Sequence, residues 1–257
     1  MKLPSLDIAL WAAGPLLNAA LLCVLCLRRR LRVFPVLAVW CLSTIVSAIA
    51  LFFIFRHASH QVYAIGYWVV DALDSLLQIG VIAEVAHIVF SPRDQEQRLR
   101  LWPLVVLSAV VSFLIVWWIQ PTSLTQAGVW EIRGDLFVSL VVGEIFTVVL
   151  IKSQRQGLRW RSHVMSIGYG LMIWAVFGLV LGLLHGYWGR HVHYVGVEHV
   201  RMLVYLAILL YWIVALWRNE PEKEQPSTEM RDAILHLTDK VSYDLAKVLG
   251  TREKEFH

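Results

Sequence analysis

Apolar residues fill seven runs along the chain, separated by short polar gaps. The runs cover about 7–27, 33–55, 62–90, 101–119, 132–151, 163–186 and 197–217. A helix needs about 20 predominantly apolar residues to cross a bilayer, so the pattern predicts an all-α, polytopic membrane protein with a seven-transmembrane-helix bundle. The gaps after the first, third and fifth runs hold four, three and four Lys or Arg. Those after the second and sixth hold one each, Arg56 and Arg190, and the fourth gap is followed by Arg133 at the start of the fifth run. Basic loops stay in the cytoplasm, which places the N-terminus outside and the C-terminus inside.

Punctuation supports this division. Pro15 follows Gly14 inside the first run and predicts a kink. Pro35 and Pro103 fall in the first turns of helices 2 and 4, where a missing N–H costs little, and Pro92 marks the end of helix 3. Trp68, Trp117, Trp118, Trp130 and Trp188 lie near one expected boundary, and Trp102, Trp160 and Trp217 near the other. Gly178 and Gly182 form a G-x-x-x-G face suited to close helix packing. The short loops predict that sequential helices are antiparallel neighbours, and packing within the bundle is a more economical use of that face than a dimer contact. After residue 218 the chain turns polar. Residues 219–257 form a second segment with an amphipathic helix over about 229–249. There Ile234, Leu237, Val241, Leu245 and Val248 recur at helical spacing. Such a helix suits a membrane surface, the underside of the bundle or a partner protein.

Composition narrows the class. The chain has 257 residues, of which 58% are hydrophobic and 16% charged, against about 25% charged in soluble domains. The net charge of +4 is concentrated in gaps between apolar runs, which reads as an orientation signal and excludes nucleic acid as a partner. The lipid bilayer is the expected one. Cys23, Cys26 and Cys41 all lie in apolar runs and read as packing residues. The first run has no basic stretch before it and no small-residue cleavage site after it, so it reads as a span and not a signal peptide.

The third run carries the candidate chemistry. A charge at the centre of a spanning helix costs at least ~2.5–3.5 kcal/mol, yet this run holds Asp71, Asp74, Gln78, Glu84 and His87. Asp71, Asp74 and Gln78 fall within about 60° of one another around the helix, and Glu84 and His87 on another face, nearer the cytoplasm. Arg201 in run 7 is the candidate partner for the two aspartates. Together Asp71, Asp74, Gln78 and Arg201 form either a ligand or proton site opening outward or a structural ion pair. A second expected cluster joins Glu84 and His87 with Glu144 and His163, as a proton relay, an inner metal site or a contact between helices. Outside, His185, His191, His193 and His199 are candidate ligands for zinc, copper or nickel, or an exposed loop that titrates near neutral pH.

Known seven-helix families bound the function further. Microbial rhodopsins hold retinal on a lysine in the last helix, and VEHVRMLVYLAILLYWIVALW contains none, so retinal is not expected and no other cofactor is assigned. Zinc-dependent seven-helix hydrolases need an H-x-x-x-H pair on a late helix, which is missing. A 3+1+3 arrangement like that of SWEET transporters fits the topology without a matching motif. Through LPSLDIALW, RRRLRVFPVL and YWVVDALDSLLQIGVIAEV the chain resembles uncharacterised seven-helix membrane proteins of bacterial genomes. That resemblance is best over helices 1 to 3 and implies a bacterial inner membrane. With no catalytic motif present, the leading expectation is a sensor or receptor-like module. It would bind a small ligand or protons from outside and signal through the C-terminal helix to a partner. A small-solute or proton-coupled transporter and a non-catalytic subunit of a larger membrane complex are the alternatives.

Overall fold

The computed structural model describes residues 5–90, 101–119, 126–155, 162–188 and 194–219. They all lie in the first of the two units into which the chain divides, 1–220 and 221–257. The expected amphipathic helix over 229–249, His191, His193 and the side chain of His185 lie outside the described residues. Every ordered element among the described residues is a helix: α1 Ser5–Leu27, α2 Pro35–His57, α3 His60–Phe90, α4 Leu101–Trp118, α5 Gln126–Arg155, α6 His163–Trp188 and α7 Tyr194–Trp217.

Six of these helices are long and apolar enough to cross a membrane, while α4 offers a shorter apolar stretch, Pro103–Trp118. At 1.5 Å per residue α4 rises about 27 Å, slightly less than the ~30 Å hydrocarbon layer. Helix α5 extends beyond the apolar run at both ends. Residues 126–131, ending in Glu131, precede the run, and residues 152–155, beginning with Lys152, follow it. Backbone hydrogen bonding continues through these residues because helix formation does not depend on apolar side chains.

Helices α1, α2, α3, α5, α6 and α7 pack in a ring, each against the next, with α7 closing onto α1. Helix α3 also reaches across to α6. Helix α4 stands outside this ring and packs mainly on α5, with a smaller contact to α3. Consecutive helices are neighbours throughout, as expected, but the α3–α4 contact is the smallest of them, and α3 packs mainly on α2 and α5.

Small residues set the closest approach. A methyl carbon at Gly178 would sit 2.6 Å from Ser139 Oγ, and one at Gly182 would sit 2.7 Å from Leu136 Cδ2. The G-x-x-x-G face is therefore spent on α5 within the same chain. Association in lipid gains little from the hydrophobic effect, so van der Waals contact across such faces holds helices together.

Burial is uneven along the helices. One end of the bundle carries the α1–α2 turn, with Arg28, Arg29, Arg30 and Arg32, and is called here the arginine-rich end. Toward it lie Leu21 and Leu25 of α1, Leu37 and Trp40 of α2, Val81, Ile82 and Val85 of α3, Ile167 and Leu171 of α6, and Leu209, Trp212 and Leu216 of α7, all buried. Toward the other end α2 has no buried residue after Cys41, α3 has none before Gln78, and the described side chains of α7 have none before Ile208. There α4, α5 and α6 keep a separate small core of Val116, Ile132, Leu136 and Leu179. The ring is closed at the arginine-rich end and loose at the opposite end.

The α1–α2 turn is a Schellman closure. Arg30 N donates to Leu25 O at 2.8 Å and Arg29 N to Cys26 O at 3.0 Å. Arg29 occupies the left-handed position with φ 55, where glycine is the usual residue.

Candidate functional site

Asp74 sits at the boundary between the closed and loose halves. The 3.6-residue period of α3 puts Gln78 one turn below it, and the antiparallel crossing of α2 brings Trp40 opposite. Trp40 Nε1 donates to Asp74 Oδ1 at 2.6 Å, and Gln78 Nε2 donates to Asp74 Oδ2 at 2.6 Å. Both carboxylate oxygens accept a short hydrogen bond. Gln78 is buried and Asp74 half-buried.

A second polar group adjoins this one. Asn18 of α1, buried at 2% exposure, donates through Nδ2 to the Gly14 carbonyl at 2.9 Å and to the Tyr205 hydroxyl of α7 at 2.8 Å. The bond to Gly14 lies beside Pro15, which removes one backbone donor from this turn. The Tyr205 hydroxyl also meets Thr44 of α2 and lies within electrostatic reach of Asp74. Thr44 Oγ1 donates to the Trp40 carbonyl at 3.0 Å. Helices α1, α2, α3 and α7 thus meet in one polar layer.

Toward the loose end, Trp174 of α6 stacks near Tyr205 with ring centres 5.7 Å apart. The Arg201 guanidinium lies 5.5 Å from the centre of the Trp174 ring and pairs with Asp135 of α5 at 3.3 Å. About a third of each charged side chain in this pair is exposed, 34% and 29%, so screening keeps its stabilising effect small. Asp71 lies within electrostatic reach of Asp135, Asp74, Glu131 and Arg201. The acidic groups of α3 and α5 thus gather on the level of one guanidinium, which pairs with Asp135.

Below Asp74 the lining changes character. Val81, Ile82 and Val85 of α3 are fully buried, and Trp212 is 1% exposed. Trp212 meets Trp40 edge-on at 5.7 Å and donates through Nε1 to the Ser166 carbonyl of α6 at 3.2 Å. This apolar floor separates the polar layer from the arginine-rich end.

Of the expected outer group, Asp74 and Gln78 are in direct contact and Asp71 is one turn above. Arg201 is on their level but makes its ion pair with Asp135, because α5 presents an acidic side chain closer to α7 than α3 does. The expected inner group is dispersed over separate contacts. Glu84 accepts from Val36 N at 2.9 Å and Leu37 N at 3.2 Å, capping the first turn of α2, where donors have no partner inside the helix. Glu144 accepts from Ser108 Oγ of α4 at 2.6 Å. His163 is buried at the start of α6 and its Nε2 lies 3.0 Å from the Arg218 carbonyl. His87 is exposed. Among the described residues no three His, Cys, Asp or Glu are gathered to hold a metal ion, so these four do not form an inner metal site. His199 is half-buried in α7.

Sequence reasoning missed Asn18, Trp40, Thr44, Asp135, Trp174 and Tyr205 as members of the site. Asn18 was visible as an amide in an apolar run. Trp40 lies mid-run, away from the boundary positions that explain most tryptophans here. Comparison with protein-family models, curated proteins and solved structures finds no match to this chain.

Proposed function

We propose that the chain is a seven-span bundle of the bacterial inner membrane. In this reading its loose, acidic end faces outward and its arginine-rich end faces the cytoplasm, and it acts as a sensor or receptor-like module. Sidedness rests on the loop charges, and the bacterial membrane on the resemblance of helices 1 to 3. Counting α4 as a span rests on its apolar character and its ~27 Å rise, which local thinning of the bilayer accommodates.

The observation that carries the reading is the change of lining at Asp74. Asp71, Asp135 and Arg201 toward the acidic end are half-buried, whereas Trp40, Trp212, Val81 and Ile82 below it are buried. A proton or small cationic ligand entering between α3, α5, α6 and α7 would meet Asp71, Asp135 and Arg201 first and Asp74 last. A carrier needs a second opening, and a sensor does not. The same asymmetry favours one alternative, a transporter caught in its outward-open state, because alternating access closes one end of a bundle at a time.

Labelling and flux separate the two. In a chain with Cys23, Cys26 and Cys41 replaced, single cysteines at positions 71 and 85 are exposed to a membrane-impermeant maleimide from either side. Position 71 is expected to react from outside, and position 85 from neither side. In proteoliposomes carrying a pH gradient, wild type and Asp74→Asn are expected to leak protons equally. Labelling of position 85 from the cytoplasmic side, or proton flux that needs Asp74, would replace the sensor with a carrier.

A further inference from the structure

Helix α7 is held at four depths by four different parts of the chain. Near the acidic end Arg201 pairs with Asp135 of α5 at 3.3 Å. At mid-height Tyr205 is bonded by Asn18 of α1 at 2.8 Å. Lower down Trp212 donates to the Ser166 carbonyl of α6 at 3.2 Å. At the arginine-rich end the Arg218 carbonyl, just past its last residue, is held by basic side chains. Arg30 Nη2 of the α1–α2 turn lies 3.2 Å from the Arg218 carbonyl, and His163 Nε2 lies 3.0 Å from the same oxygen. Arg28 Nη1 donates to Asn219 Oδ1 at 3.0 Å, and its guanidinium lies 4.7 Å from the centre of the Trp217 ring.

The chemistry suits a joint. A helix C-terminus carries partial negative charge on carbonyls without partners, and cations there are favourable. The Trp217 face adds a cation–π contact. A carbonyl can only accept, so His163 must carry its proton on Nε2 to bond Arg218. The arginines counted as an orientation signal therefore also fix the exit of α7, the point from which the chain continues past residue 219. Among the described side chains of α7 none is buried before Ile208, whereas Leu209, Trp212 and Leu216 are buried. Its principal helix neighbours are α1 and α6, so the groove between them sets the direction in which it can shift.

We propose that α7 is a transmission helix, in which a change at the Arg201–Asp135 pair is passed through Tyr205 and Trp212 to the clasp formed by Arg28, Arg30 and His163 on residues 217–219. The proposal rests on the reading of the acidic end as a receptor site and names the element that would carry its signal. A packed helix with discrete contacts at each end can bias a two-state joint, and the physical warrant for coupling is that both ends move one equilibrium.

Hydrogen–deuterium exchange on the full chain in nanodiscs tests this without any ligand. Arg28→Ala with Arg30→Ala should speed exchange over residues 213–219 by about tenfold, the scale of one or two lost hydrogen bonds to charged groups. Arg201→Gln should speed the same amides by at least about threefold, although they lie at the far end of α7. Faster exchange confined to 196–208, with 213–219 at the wild-type rate, would overturn the proposal. If Arg201→Gln fails to assemble, Asp135→Asn breaks the same pair from the other helix and is judged by the same criterion. Proton flux through wild type would remove the receptor reading and leave the exchange result standing, so the two failures are distinguishable.

Discussion

At the scale of single residues, Asp74 decides what the polar layer is for. Its two oxygens accept from Trp40 and Gln78 at 2.6 Å each, so replacements of different chemistry should separate geometry from charge. Asn in its place still accepts from Trp40, and Gln78 can turn its amide to accept from the new NH2 group. Leu leaves the indole N–H and the buried Gln78 amide without partners, at about 1–3 kcal/mol for each orphaned group. Asp74→Asn is therefore expected within about 1 kcal/mol of wild type, and Asp74→Leu about 2–5 kcal/mol below it. Reversible unfolding in mixed micelles measures both. Equal losses for the two variants would mean that the network does not hold these helices. The expected mildness of Asp74→Asn also makes it the cleaner variant for asking whether charge at this position matters to function.

At the scale of elements, glycine spacing on α6 makes a sharper test than hydrophobicity. Gly178 and Gly182 face Ser139 and Leu136 at distances that leave no room for a side chain. Gly134 has nothing within 4 Å of an added methyl, although it lies on the same α5. Gly178→Leu should force α5 and α6 apart and cost more than about 3 kcal/mol, the upper part of the overpacking range. Gly134→Ala should gain about 0.5–1 kcal/mol from helix propensity. Thermal unfolding of both variants checks the contrast, and a neutral Gly178→Leu would show that this face is not tightly packed. Elements were the most legible part of the sequence, because apolar run length and helical spacing act locally. Seven helices appear where seven runs were expected, and Asp74 and Gln78 share a face because 3.6 residues make a turn. Partners across helices were less legible. Glu84 was visible as an acid in an apolar run, but its role as the cap of α2 depends on the N–H groups of Val36 and Leu37 being brought opposite it by the crossing of α2 and α3. Arg201 was expected to pair with Asp71 and Asp74, whereas its ion pair is with Asp135, a choice set by how the helices pack and not by spacing along the chain. The exclusion of α4 from the ring had no local signature beyond its shorter apolar stretch.

At the scale of the whole molecule, sidedness determines what the open end could sense. Eleven Lys or Arg lie in the gaps after the first, third and fifth runs, against two in the other gaps and Arg133 at the start of the fifth run. Bias of this size in short loops directs insertion. It is spread over three loops, so no single one should control it. Arg29 and Arg32 are exposed, whereas Arg28 and Arg30 hold the end of α7. Replacing Arg29 and Arg32 by Gln should therefore leave both orientation and exchange at residues 213–219 unchanged. Reporter fusions read the orientation directly. A phosphatase active only outside the cytoplasm should work when inserted after Ser59, and a fluorescent protein that matures only in the cytoplasm should glow when fused after Asn219. The reverse pattern would turn Asp71, Asp135 and Arg201 toward the cytoplasm and place the arginine clasp outside. The acidic site would then sample cytosolic protons or cations, and the chain beyond residue 219 would have no cytoplasmic partner to address. With the expected pattern, one helix joins an outward acidic site to a cytoplasmic exit, which is the minimum connection a membrane receptor requires.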